Sequence, residues 1–137
     1  MKILILALTA LMLPSLSVWA AEMTCRRSPA VTGACATVKG SLGLTRGIGV
    51  TLNGEDGTRT IIKAPPGSNA DIAPRVMENW LYWQSRTGNM NTRITGTFEV
   101  CPLPAQVNAA GIRDFGCINN GTRINVDKDS PSTTPAE

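Results

Sequence analysis

The chain has 137 residues, enough for one domain with a core and too few for two ordinary ones. Hydrophobic residues make up 42% and charged residues 17%, the balance of a globular chain and not of a disordered one. There is no histidine, which excludes Ser-His-Asp and Cys-His catalysis and every metal site that needs imidazole.

Met1-Lys2 gives a short cationic start, and Ile3 to Leu13 is apolar apart from Thr9. Val18-Trp19-Ala20 then places small residues at the −3 and −1 positions of a cleavage site. This pattern predicts a secretory signal over 1–20, cut near Ala20 or Ala21. The apolar run is too short for a bilayer, which needs roughly 20 residues. The expected product is a soluble periplasmic or secreted protein, with one domain over 21–126 and a disordered tail over 127–137. Of the charged residues only Lys2 is lost with the signal, which leaves 12 basic residues against 10 acidic. An excess so small gives no argument for nucleic acid.

Cys25, Cys35, Cys101 and Cys117 remain, an even count that in an oxidising compartment predicts two disulfides. Three connectivities are possible. The local pairs, Cys25–Cys35 and Cys101–Cys117, are the expected ones. A four-cysteine zinc site would want closely spaced ligand pairs, and the gaps here are nine and fifteen residues. No C-x-x-C redox motif is present.

The first strand is predicted over Ala36 to Leu44, where Ala36, Val38, Leu42 and Leu44 share a parity. Thr45-Arg46-Gly47 is a turn, and Ile48, Val50 and Leu52 mark a second strand. Asn53-Gly54-Glu55-Asp56-Gly57 is a strong turn signal, and Arg59 to Lys63 a third, shorter strand. A helix is expected inside Asp71 to Arg86, with Asp71 as its N-cap, Pro74 in the first turn and Gly88 as its left-handed cap. Val76, Trp80 and Trp83 recur at helical spacing, and the expected role of the tryptophans is to plug the end of a small core. A fourth strand carries Ile94, Phe98 and Val100 inward and Arg93, Thr95, Thr97 and Glu99 outward. Pro102 to Gly116 reads as a fifteen-residue loop. Asn120-Gly121 reads as a tight turn before a last strand, Thr122 to Val126. With odd-numbered cysteines and even-numbered inward residues, Cys101 and Cys117 are expected on the outer face.

The order strand, strand, strand, helix, strand, strand resembles the OB-fold, a small five-stranded Greek-key barrel with one helix between strands three and four. Gly40 in Val38-Lys39-Gly40-Ser41-Leu42 and Gly96 in Ile94-Thr95-Gly96-Thr97-Phe98 strengthen the likeness, since a small barrel needs sharply coiled strands. Small exported bacterial proteins of this fold include envelope-stress proteins, secretion-system components and receptor-binding subunits of toxins. The resemblance implies a binding face on the second and third strands, flanked by the loops Thr45 to Gly47 and Pro102 to Gly116. Carried onto this chain, it points to Arg46, Thr51, Arg59, Lys63, Leu103, Val107, Ile112, Arg113 and Phe115 as binding residues.

No phosphate-binding loop and no nucleophile elbow occurs. Glu55-Asp56 lacks the ligand spacing of a calcium loop. No set of residues supplies nucleophile, base and orienting group, so no enzyme activity, catalytic residue, metal or cofactor is expected. The expected function is a soluble exported binding protein that takes a protein partner, as an accessory, an inhibitor or a secretion component. The alternative is a glycan-binding subunit of a ring-forming toxin, which requires an oligomer. Membrane insertion is not expected. Oligonucleotide binding lacks the aromatic row that single strands use.

Overall fold

The structure, a computed structural model, describes residues 24–69, 71–108 and 111–131, and at 107, 108, 111 and 112 the backbone alone. The expected signal segment and the end of the tail lie outside the described residues. A single 3-10 turn, Cys25–Arg27, leads into β1 (Ala36–Thr45), β2 (Gly49–Gly54) and β3 (Arg59–Ile62). Helix α1 (Pro74–Thr87) follows, then β4 (Ile94–Asn108) and β5 (Gly111–Val126). The strands close a barrel in the order β1-β2-β3-β5-β4, with β4 returning to β1. Every pairing is antiparallel except β3 with β5. This mainly β, five-stranded closed barrel, with one helix between β3 and β4, is consistent with an OB-like fold.

The period-2 pattern fills the barrel. Leu42, Leu52, Ile62, Ile94, Phe98, Val100 and Ile118 are buried in one cluster, and Val38, Val50 and Ile124 pack half-buried against it. Gly40 faces Gly54 on one side and Gly96 on the other. A Cβ at Gly40 would strike the carbonyl oxygen of Asn53, so the close approach of β1 and β2 requires glycine there.

Helix α1 seats Val76 and Trp80 in the barrel core, with Met77 and Trp83 packed beside them. Trp80 Nε1 donates to the Thr92 carbonyl at 2.8 Å, which satisfies the indole while its ring stays buried. Gly88 ends the helix at φ 66°, as expected. The start differs. The N-cap is Ala73, without a side-chain cap, and Pro74 opens the helix. Asp71 instead joins the sheet through its backbone, since its carbonyl accepts from Ile118 N at 2.9 Å.

The second half departs furthest from the sequence pattern. The expected loop Pro102 to Gly116 is strand, because β4 and β5 run on as a hairpin arm as far as Asn108 and Gly111. Asn120-Gly121 is not a turn and lies within β5. A Cβ on Gly121 would come within 2.8 Å of Val76 Cγ2 and 3.1 Å of Phe98 Cδ1, so this glycine makes room for the helix. Two shifts of register in β5 place one extra residue near Asn119 and a wider irregularity at Arg123, which holds φ 54°.

The disulfides are Cys25–Cys117 and Cys35–Cys101, not the local pairs. Cys101 and Cys117 stand opposite each other in the β4–β5 ladder, yet each bonds to the N-terminal segment. That segment lies across the outer face of the two strands. Thr32 N donates to the Pro102 carbonyl at 3.0 Å, and Arg26 pairs with Glu99 at 2.7 Å. Cys101 and Cys117 sit on the outer side of the barrel wall, as their parity requires. Both are fully buried nonetheless, beside Ile61, Leu103 and Phe115.

Candidate functional site

Among the described residues, the β3–β5 ladder consists of two pairs, Ile61 with Phe115 and Ile62 with Gly116. Toward the arm the two strands part. The gap is a cleft of about 250 Å³ lined by Ile48, Arg59, Ile61, Arg113 and Asp114. Its position between the β1–β2 turn and the β4–β5 arm matches where OB-like folds bind ligands. Ile48 and Ile61 border the outer cluster that holds the disulfides, so the staples support the apolar floor of the cleft.

The expected binding residues divide into three groups. Arg59 and Arg113 meet at the cleft. Arg59 is exposed, and its Nε donates to Asn53 Oδ1 at 3.2 Å. Lys63, two residues beyond Ile61 on the same strand face, holds its Nζ 4.2 Å from the centre of the Phe115 ring. A second group is structural. Leu103 and Phe115 are buried with the cysteines. Thr51 is fully buried, and its hydroxyl bonds to that of Thr45. An outward-pointing threonine is buried here because the neighbouring strands and Arg93 cover it. The third group stands apart. Arg46 is exposed and borders a separate hollow with Leu44, Thr45, Asn91 and Pro131. The side chains of Val107 and Ile112 lie outside the described residues.

Arg93, just before β4, lies on the outer face as its parity requires, yet it is buried there. Its side chain lies over Gly43, where a Cβ would come within 2.6 Å of its Cγ. Nη2 donates to the carbonyls of Ser41 (2.7 Å) and Thr51 (3.1 Å), and Nη1 to that of Leu44 (3.2 Å). Nε donates to Ser41 Oγ at 2.9 Å, and that hydroxyl donates to Asp127 Oδ2 at 2.6 Å. Burial pulls the Arg93 pKa below its usual range, and the Asp127 carboxylate opposes this. Asp127 N and Ser130 Oγ complete the clasp on the Arg93 backbone, so the start of the expected tail is an ordered part of the fold. The one sequence signal was Gly43, a small residue on the outer parity of β1.

A second, shallower groove of about 390 Å³ runs over the Gly54–Gly40–Gly96 row, between Lys39, Asn53, Thr95, Thr97 and Arg123. No aromatic ring lines it. Cys35, Glu99 and Cys101 place three potential ligand atoms together, but both sulfurs are in a disulfide and offer no thiolate. Among the described residues no helix is long and apolar enough to cross a membrane. No family model, no curated protein and no solved structure matches this chain.

Proposed function

We infer that this chain is a small exported binding module without catalytic chemistry, which engages another protein through the cleft between β3 and the β4–β5 arm. The observation that carries this reading is the cleft itself. It combines an isoleucine floor with two guanidinium groups at the position that OB-like folds use for ligands. An apolar floor supports this reading, as does the pair of arginines, a residue type enriched at protein interfaces and their hot spots. Two long-range disulfides support residence in an oxidising compartment.

A photoreactive residue in place of Arg59, in cells exporting the full chain, is expected to give one discrete protein adduct. Arg113→Glu should abolish it, and the same probe at Glu78, on the exposed side of α1, should give none. An adduct unchanged by Arg113→Glu, or equal yields from both positions, rejects the reading. Light scattering adds an independent check. A stable ring-sized oligomer would favour the glycan-binding alternative. Turnover of an ester, peptide or glycoside that a single substitution abolishes would overturn the absence of catalysis.

A further inference from the structure

The cleft is also where the β3–β5 ladder ends, and part of the backbone on its two sides lies beyond that ladder. At the closed end Lys63 N donates to the Gly116 carbonyl at 2.9 Å. Strand alternation sends every second residue's N–H and C=O the same way, so Asp114 and Ile112 turn theirs toward the same side as Gly116. On β3 the Thr58 carbonyl faces β2, where it accepts from Gly54 N at 2.8 Å. Arg59 therefore turns its N–H and C=O away from β2, toward β5. The parallel bridge of Ile61 with Phe115 takes the Asp114 carbonyl to Ile61 N, which leaves the Asp114 N–H, and among the described residues no strand pairs with Gly111–Arg113 from the side facing β3.

The other edge of the arm is treated differently. Beyond Val100, β4 leaves β1, and its free side carries Pro102 and Pro104. Proline offers no donor, and it is a common means of blunting an exposed edge. Thr32 N covers the Pro102 carbonyl as well. The edge facing the cleft has no proline between Gly111 and Phe115. One edge is thus protected against strand pairing and the other is left open.

We propose that the cleft takes a short extended segment of an acidic protein partner as an added strand between β3 and β5. The proposal rests on the reading of the cleft as a protein-binding site. Strand addition draws affinity from main-chain hydrogen bonds and specificity from alternate side chains. Here one face of the incoming strand meets Ile48 and Ile61. Arg59 and Arg113 stand at the cleft, with Lys63 two residues past Ile61, and Asp114 is the one acidic group in the lining. That balance selects carboxylate side chains.

The test uses a short synthetic peptide of alternating glutamate and threonine, added to the oxidised protein and followed by amide NMR shifts. The expected result is shifts at Arg59, Ile61 and Asp114, and no binding of the matching lysine–threonine peptide. N-methylation of alternate residues in the peptide should weaken binding by about tenfold or more, as lost backbone hydrogen bonds require. Asp114→Pro should do the same from the protein side, and Asp114→Ala should not. Equal binding of the methylated peptide would overturn strand addition, whatever Asp114→Pro does to the arm. Absence of these shifts would overturn it too. In either case the photoreactive probe at position 59 judges the cleft independently.

Discussion

The barrel wall separates two apolar clusters that use opposite faces of the same strands. Ile62, Val100 and Ile118 point into the barrel, and their neighbours Ile61, Cys101 and Cys117 point out of it. The inner cluster closes on itself, because five strands, one helix and Ile72 in the segment before that helix supply its walls. The outer cluster has no second sheet to pack on. A stretch of N-terminal chain with little apolar surface of its own covers it, through Cys25, Ala30, Val31 and Cys35. Burial holds the first together. The second needs covalent help, and the two disulfides span 92 and 66 residues to give it. A small domain with a modest core gains much from such staples.

The largest expected effect comes from removing both staples. In the chain-entropy model each bridge contributes about 4 kcal/mol, so losing the pair exceeds any single truncation in the core. Cys25→Ser with Cys117→Ser, and Cys35→Ser with Cys101→Ser, should each lower the denaturation midpoint. The contrast between the clusters is sharpened if hydrogen exchange rises first at Cys101–Leu103 and Phe115–Cys117 while Leu42, Leu52 and Ile94 stay protected. Simultaneous loss everywhere would break it.

Phe98→Ala strikes the inner cluster alone. It is expected to cost about 3–5 kcal/mol by lost burial and the cavity left behind. Urea unfolding followed by tryptophan fluorescence measures this, since Trp80 and Trp83 pack on the same core. A cost much below that of opening one disulfide would show that the barrel depends on its outer cover.

Arg93→Met removes the donor to three backbone carbonyls while keeping much of the aliphatic stem over Gly43. The expected cost is about 2–3 kcal/mol, set by the charge-assisted hydrogen bonds lost with the guanidinium. Proteolysis near Asp127 to Pro131 should speed up by the same change, because Ser41 Oγ and Asp127 lose the guanidinium that orients them, while the bonds to the backbone of residue 93 remain. Unaltered protease resistance would show that those backbone bonds alone hold the segment.

The smallest effect is at the exposed β2–β3 turn. The Thr58 hydroxyl, donating to Asp56 Oδ1 at 2.6 Å, and then the Thr58 N–H hold the Asp56 pKa below its ordinary value. A depressed carboxylate stabilises the fold above its unfolded pKa, and that contribution is lost as pH falls through the lower folded value. Asp56→Asn should lower stability slightly near neutrality and remove this part of the acid dependence. Melting curves across the acid range would detect it, and an unchanged profile would count against the turn's role.

Much of the fold follows from periodicity. The alternation around Leu42, Leu52 and Phe98, the helical spacing of Val76, Trp80 and Trp83, and Gly88 as a stop are local signals, each repeated within one element. Arg59 and Arg113 were also within reach, because the resemblance pointed to the outward face of the third strand and to the segment Pro102 to Gly116. The arm was not. Two prolines and several small residues make Pro102 to Gly116 look like loop, yet proline is tolerated on a strand edge that nothing pairs with. Parity put Cys101 and Cys117 on the outer face and was right. Gly121 and Ile124 both face the core three residues apart, as do Ile118 and Gly121, so two irregularities in β5 shift the phase and then restore it.

The sequence by itself determined which face of each strand is apolar, where the helix lies, and that four cysteines must pair. Each of these depends on residues close along the chain. Only the tertiary structure decided which cysteines meet, that outward Arg93 and Thr51 are buried, and that β3 and β5 part to leave a cleft. An outward side chain is exposed only if no other segment covers it, and the covering segments here come from Thr24 to Ala36 and from Asp127 to Pro131. Local alternation fixes the direction in which a side chain points, whereas what it meets depends on contacts between residues far apart in the chain.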